Sequence, residues 1–124
     1  MSEPKGDLAI RVLAMPGDAN TNGDIFGGGV LGQMDIAGGV VAKQCAKGRV
    51  ATVAVDAMTF DLPVFVGDLL SCYAEVVRVG RTSMAVWVEA WAQRQDGARV
   101  KVTEGKFTFV AIGEDRRPRP VHGA

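Results

Sequence analysis

Between Asp24 and Lys43 only one residue carries a charge, Asp35, and its neighbours there are Gly, Ala, Val, Leu, Met, Ile, Phe26 and Gln33. A carboxylate in such surroundings can take a proton from water as a general base, or attack a carbonyl carbon itself. From composition alone it reads equally as a solvated carboxylate on an exposed helix face. Upstream, Asn22-Gly23-Asp24-Ile25-Phe26-Gly27-Gly28 has the composition of a helix start. Asn22 or Asp24 could cap it, and the glycines would leave backbone N–H groups open to a developing oxyanion at the positive end of the helix dipole. Gly27 and Gly28 precede Asp35 by seven or eight residues. That is two helical turns, so donors and carboxylate lie on a similar side of one helix and could flank one carbonyl.

Other chemistries have little material. The single histidine, His122, lies in the tail, so Ser-His-Asp, Cys-His and histidine-rich zinc sites are not expected, nor is hydration of a thioester by an imidazole base. The glycine run lacks the Gly-Lys-Ser/Thr ending of a phosphate-binding loop. Cys45 and Cys72 have no CxxC partner and read as small apolar residues. Lys+Arg and Asp+Glu are equal at 14 each, so no global field gathers nucleic acid or anionic lipid. No apolar run is long enough for a membrane span and no signal peptide is evident, which sets the expectation of a cytoplasmic protein.

The elements that must position these residues are legible as periods. Residues 7–15 alternate Leu8, Ile10 and Val12 as a half-buried strand does, and residues 16–24 are dense in turn formers. From about Ile25 or Phe26 to Ala46, Phe26, Val30, Met34, Val41 and Cys45 recur near helical spacing. Four β-type segments follow at 50–60, 69–79, 83–93 and 99–112, with hairpin turns at Gly80-Arg81 and Asp96-Gly97. The order predicts one α+β domain over residues 1–124, a five-stranded antiparallel sheet wrapped around one long helix, with a loose tail from about residue 114. Gly27, Gly28, Gly29, Gly32, Gly38 and Gly39 all fall in that helix, and close backbone approach would explain them.

The run from Asn20 to Gly28, continued by Gln33-Met34-Asp35 and Ala37-Gly38-Gly39, closely resembles YciA-type acyl-CoA thioesterases of the hotdog superfamily. The resemblance continues through Leu13-Ala14-Met15-Pro16, Gly48-Arg49-Val50, Met58-Thr59-Phe60, Pro63-Val64, Val66-Gly67-Asp68 and Val79-Gly80-Arg81-Thr82-Ser83, covering about residues 8–113. It implies a hotdog fold and hydrolysis of acyl-CoA to a free acid and coenzyme A, without metal or further cofactor. By the same resemblance Asp35 is the general base or nucleophile and Asn20 its polar partner, with Gly27 or Gly28 supplying the oxyanion N–H beside Asn22 and Gly23. One departure stands out: Gly29 occupies the place where the family carries a bulky aromatic.

Coenzyme A brings phosphates to a chain without net charge, so a local cation is required. Arg81 is the favoured candidate, with Thr82 and Ser83 as hydrogen-bond donors; Arg49, Lys47 and Lys106 are weaker ones. Trp87 and Trp91 share a strand face with Glu89 and could cover a ligand, a subunit interface or the core. The resemblance implies a homodimer, and a homohexamer built as a trimer of dimers. The rival reading is a non-catalytic acyl-CoA-binding hotdog acting as a sensor or regulatory module.

Overall fold

The computed structural model of the chain describes residues 3–122. Strand β1 (Asp7–Leu13) leads through a 3-10 turn at Pro16–Asp18 into helix α1 (Gly27–Ala46). Strands β2 (Val50–Val55), β3 (Leu69–Val79), β4 (Ser83–Gln93) and β5 (Arg99–Ala111) follow. The five strands form one sheet in the order β1-β3-β4-β5-β2, antiparallel throughout. Thus β3, β4 and β5 are the expected meander, while β1 and β2 are carried to opposite edges by the connections on either side of the helix. The Asp96-Gly97 turn closes with Gly97 at φ 93°, a left-handed backbone that favours glycine.

Helix α1 lies across the sheet and buries Val30, Met34, Ala37, Gly38, Ala42 and Ala46. They meet the inward row of the meander, which includes Cys72, Met84, Val86, Val88, Phe107 and Phe109. On β4 burial alternates from Ser83 to Val88, with Met84, Val86 and Val88 in the core, and then Val88 to Ala92 are all buried, with a shift in the β5 register between Ala90 and Trp91. Gly38 is the glycine that this seat demands. A Cβ there would lie 2.9 Å from the Phe109 ring and 3.3 Å from a Val88 methyl. At Gly28 and Gly32 an added Cβ meets nothing within 4 Å, so packing within the chain does not account for them.

Three expectations need correction. The helix begins at Gly27, and its N-cap residue, Phe26, makes no side-chain cap. Asn22 and Asp24 are not caps because the preceding chain is held extended: Ile25 N donates to Val64 O at 2.8 Å, and Asp24 bridges to Phe65. Strand β2 stops at Val55 rather than running to residue 60. Beyond it the chain crosses Gly105, where a Cβ would meet Met58 Sδ at 3.1 Å, and rejoins β5 through Asp61 N and Val102 O.

The third correction concerns the tail, which is docked rather than loose. Ile112 bridges to Pro118, Val121 is 3% exposed, and Val121 N donates to Arg81 O at 2.9 Å. Arg119 explains much of this. Its Nη2 donates to Ala46 O at 2.9 Å, capping the last turn of α1, while Nε and Nη1 reach Ile112 O and Pro120 O. A guanidinium at a helix C-terminus satisfies an orphan carbonyl and complements the dipole. Residues 123 and 124 of the tail, like residues 1 and 2, lie outside the described part of the chain.

Candidate active site

Asp35 sits midway along α1, half-buried, between Met34 in the core and Ile36 at 54% exposure. Its Oδ1 accepts a hydrogen bond of 2.6 Å from Thr52 Oγ1 on β2. Among the described residues its other oxygen has no partner, so one oxygen is anchored while the second is available to a water or a carbonyl carbon. Thr52 was not singled out in the sequence. A threonine in a Val/Ala strand is ordinary, and nothing local ties it to a residue 17 positions away.

Asn20 is half-buried in the loop before the helix. Its Oδ1 accepts from Asn22 N at 2.9 Å and Asp24 N at 3.2 Å, and its backbone pairs with Asp24 O and Gly23 N. The loop 20–24 is therefore a closed turn that uses the side-chain carbonyl of Asn20, while its NH₂ group has no hydrogen-bond partner among the described residues. Asn22 and Gly23 are exposed at its tip, and Gly23 has φ 85°. The N–H groups of Gly27 and Gly28 are exposed at the uncapped helix start and donate to no acceptor among the described residues. Gly29 and Val30 are the first to bond back, both to Phe26 O. Gly29 is exposed as well, so the place of the family's aromatic is open.

No hydrogen bond joins Asn20 or the glycine amides to Asp35 of the same chain. Helical rise explains why: seven to eight residues at 1.5 Å each separate Gly27 and Gly28 from Asp35 by about 10–12 Å. One thioester carbonyl cannot touch both within a single chain. The face that carries them is nevertheless continuous, because Gly28, Gly32, Ile36 and Val40 form an exposed small and apolar row at spacing four. Beside it β2 is exposed from Thr52 to Val55, with Val53 at 57% and its outer edge unpaired. The helix row and the open edge strand thus make one exposed apolar surface.

The Gly80-Arg81-Thr82-Ser83 turn closes through Gly80 N and Ser83 O at 2.8 Å. Arg81 is exposed and forms no ion pair among the described residues, while its carbonyl and that of Thr82 are taken by the tail and by Ala111. Ser83 faces a recess of about 340 Å³ on the outer sheet face, together with Arg78 and Lys106. Lys47 and Arg49 line a separate cavity at the C-terminal end of α1.

On the outer face of β4, both indoles of Trp87 and Trp91 donate to the Glu89 carboxylate at 2.9 Å. Lys5 N adds a third bond at 3.3 Å. Burial alone would raise the pKa of Glu89, but these hydrogen bonds and the nearby Lys101 charge outweigh it and hold the carboxyl below its ordinary range. The trio is thus a tie along β4, joined through Lys5 N to the segment before β1. Cys72 is fully buried, and burial pushes its thiol up to about 12; Cys45 is half-buried and also free.

The thioesterase superfamily model matches residues 22–98, the span that holds the loop tip, the helix and the meander turns. The acyl-CoA thioester hydrolase YciA of Escherichia coli K12 is 50% identical over 120 residues, covering 94% of this chain and 91% of that protein. An uncharacterized acyl-CoA thioester hydrolase of Haemophilus influenzae is 47% identical, covering 96% and 80%. Among solved structures, the hexameric thioesterase y2039 of Yersinia pestis superposes with a TM-score of 0.93 at 46% identity, covering 98% of this chain and all of that one. HI0827, a hexameric broad-specificity acyl-coenzyme A thioesterase, gives 0.93 at 45%, covering 98% and 85%. Hotdog-fold likeness is equally direct in a hexameric thioesterase of Campylobacter jejuni, with a TM-score of 0.89 at 40% identity, covering 94% and 91%. With the helix-wrapping sheet and the identity carried across nearly the whole length, this chain belongs to the thioesterase superfamily and, within it, to the hotdog-fold acyl-CoA thioester hydrolases of the YciA type.

Proposed function

We propose that the protein hydrolyses acyl-CoA thioesters in a site shared between two chains, with Asp35 from one and the Gly27–Gly28 amides and Asn20 from the other. The observation that carries this is the separation along α1: the donors and the carboxylate sit on one face but too far apart for one carbonyl. Leu31 and Gly32 lie midway between Gly28 and Asp35, so a two-fold axis near Gly32 sets Gly28 of one helix opposite Asp35 of its antiparallel partner. The open space at Gly32 lets two helices approach closely there. Such pairing also covers the exposed Ile36, Val40 and Val53. The hexameric relatives support a homodimer as the unit, and a trimer of such dimers as the assembly.

In this site the thioester carbonyl oxygen points at the free N–H groups of the helix start, which stabilise the charge as it develops. Asp35 removes a proton from water as the water oxygen bonds to the carbonyl carbon; collapse then breaks the C–S bond and the thiolate of coenzyme A takes up the proton. Direct attack by Asp35 would instead break the C–S bond, release the coenzyme A thiolate and leave an acyl anhydride, which water cleaves to the free acid and the restored carboxylate; both routes need the same carboxylate and the same donors. Thr52 holds the carboxylate in place, and the Asn20 NH₂ positions the water or the thioester. The Arg81-Thr82-Ser83 turn is the first candidate for the coenzyme phosphates, and no metal or added cofactor is required. The described residues include no helix long and apolar enough to cross a membrane. Together with two free thiols, this favours the cytoplasm.

Replacing Asp35 by Asn tests the reading. Loss of the base lowers turnover by about 10²–10⁴-fold, measured as thiol released from a series of acyl-CoA chain lengths, with the fold intact by circular dichroism. Turnover within a few-fold of the parent would refute the assignment. Wild-type protein that binds acyl-CoA without releasing thiol at any chain length would favour the sensor reading instead.

A further inference from the structure

We infer that the ion pair between Arg94 and Asp68, at the adjoining ends of β4 and β3, is a positioning device for the oxyanion donors at the start of α1. This inference rests on the thioesterase reading. The need for such a device comes from the helix start itself. Its first three residues, Gly27, Gly28 and Gly29, leave the backbone of that turn freer than any other residue type would. Phe26, the N-cap residue, makes no side-chain hydrogen bond to steady it. Amides that face a developing oxyanion must nevertheless be fixed before the reaction begins.

The hold comes from the loop 63–68 that leads into β3. Directly upstream of the glycines, Ile25 N donates to Val64 O at 2.8 Å and Asp24 bridges to Phe65. The chain that enters the Asn20 loop is tied to the same place: Ala14 N donates to Asp68 O and Gly67 N to Ala14 O, both at 2.9 Å. Residues 14–25, Asn20 among them, thus leave from the loop 63–68 and return to it. Phe26 N closes the circuit by donating to Asp18 O at 3.2 Å. The position of the first helical turn is therefore set by a loop distant in sequence, in place of a cap.

One buried carboxylate keeps that loop in shape. Asp68 is 2% exposed, and its Oδ2 accepts from Phe65 N at 2.9 Å and from Arg94 Nη1. The same Nη1 donates to Pro63 O at 2.9 Å, and the guanidinium lies 4.5 Å from the centre of the Phe65 ring. Arg94 thus grips both neighbours of Val64 together with the residue that ties down Ala14. It is itself fixed in the β4–β5 turn, where its N donates to Ala98 O at 2.8 Å and its O accepts from Gly97 N at 2.9 Å. Without the guanidinium, Asp68 would be a buried charge held by one amide, and the loop would have to open to hydrate it. That movement passes through Val64 O to Gly27 and Gly28. Among the described residues neither Arg94 nor Asp68 hydrogen-bonds to Asp35, to Asn20 or to the glycine amides, so the pair acts through the loop.

The test uses Arg94→Gln, which removes the charge, and Arg94→Lys, which keeps it with a single donor nitrogen. For Arg94→Gln, kcat on acyl-CoA should fall about tenfold or more, as expected for displaced transition-state donors. The inhibition constant of free coenzyme A, which has no thioester carbonyl, should stay at the parental value. Amide hydrogen exchange read by mass spectrometry should quicken in peptides spanning residues 14–30, while the second half of α1 keeps its parental rate. Arg94→Lys should lie between parent and Arg94→Gln in both readouts. Glu89→Gln, which loses hydrogen bonds outside this network, should keep its kcat and so separates positioning from general destabilisation. A folded Arg94→Gln with parental kcat overturns the inference, as does a kcat loss with unchanged exchange over residues 14–30. If Arg94→Gln does not fold and Arg94→Lys folds with parental kcat, the pair serves folding alone and the inference falls. Failure of the thioesterase reading looks different, since the parent protein would then release no thiol while hydrogen exchange still reports on the hold.

Discussion

Two alanine substitutions on α1, at Gly38 and at Gly32, separate what the helix does for its own chain from what the proposed pairing asks of it. At Gly38 a Cβ would stand 2.9–3.0 Å from two carbons of the Phe109 ring and 3.3 Å from Val88. Neither neighbour has room to move, for Phe109 is 1% exposed and is stacked on Phe107 at 6.4 Å. Overpacking of this kind costs about 1–3 kcal/mol, against about 0.8–1 kcal/mol gained by exchanging a helical glycine for alanine. Gly38→Ala is therefore expected to destabilise by up to about 2 kcal/mol. Gly32 reverses the balance. With nothing within 4 Å of its Cβ, the isolated chain should gain the whole of that 0.8–1 kcal/mol from Gly32→Ala. If two antiparallel helices meet there, the same methyl instead holds them apart, weakening dimerisation and moving Gly28 away from the partner's carboxylate. Sedimentation velocity over a dilution series, with chemical unfolding at matched protein concentration, reads both effects. A Gly32→Ala protein that is more stable, equally oligomeric and fully active would refute the helix seam.

Other outcomes follow from the same contacts. Mixing inactive Asn20→Ala and inactive Asp35→Asn chains, after dissociation and reassembly, should restore about a quarter of parental activity, since half the dimers are mixed and each has one intact site; no recovery in verified mixed dimers would place both residues in one chain's site. Glu89 gives a pH signature. The folded protein holds its carboxyl below the ordinary value, so its contribution is full above the ordinary carboxylate range and is lost as pH falls through the depressed folded value. Thermal unfolding followed on acidification should therefore fall more steeply for the parent than for Glu89→Gln, and parallel curves would contradict the assignment.

What the sequence disclosed divides along the range of the interactions. Strand and helix periods are set by neighbours two to four residues apart, so β3, β4 and α1 could be placed from local pattern. The limits that failed were set by distant partners. Ile25 is kept out of the helix by Val64 O, and residues 56–61 leave the β2 ladder where Met58 crosses Gly105. The tail lacks any apolar period, yet one arginine reaching back to Ala46 and one buried valine are enough to dock it. Asp35 was legible because a solitary charge among apolar residues is a local anomaly. Its anchor, Thr52, was not, since a hydrogen bond across 17 residues leaves no trace in either segment. The resemblance supplied what period and composition could not, the expected pairing of Asn20 with Asp35, and no hydrogen bond joins the two within this chain.

The glycines of α1 bear finally on the order in which the chain acquires its structure. Six of the twenty helical residues are glycine, a composition that leaves the isolated segment far from helical in water. The β3–β4–β5 meander, by contrast, is joined by two tight turns and brings together residues close in sequence. The meander is thus the natural nucleus, and the segment 27–46, though synthesised earlier, coils only when a finished sheet offers Phe109 and Val88 to seat it. Refolding followed by far-ultraviolet circular dichroism should consequently show sheet formation ahead of helix formation, and a helical signal that leads the sheet would contradict this order.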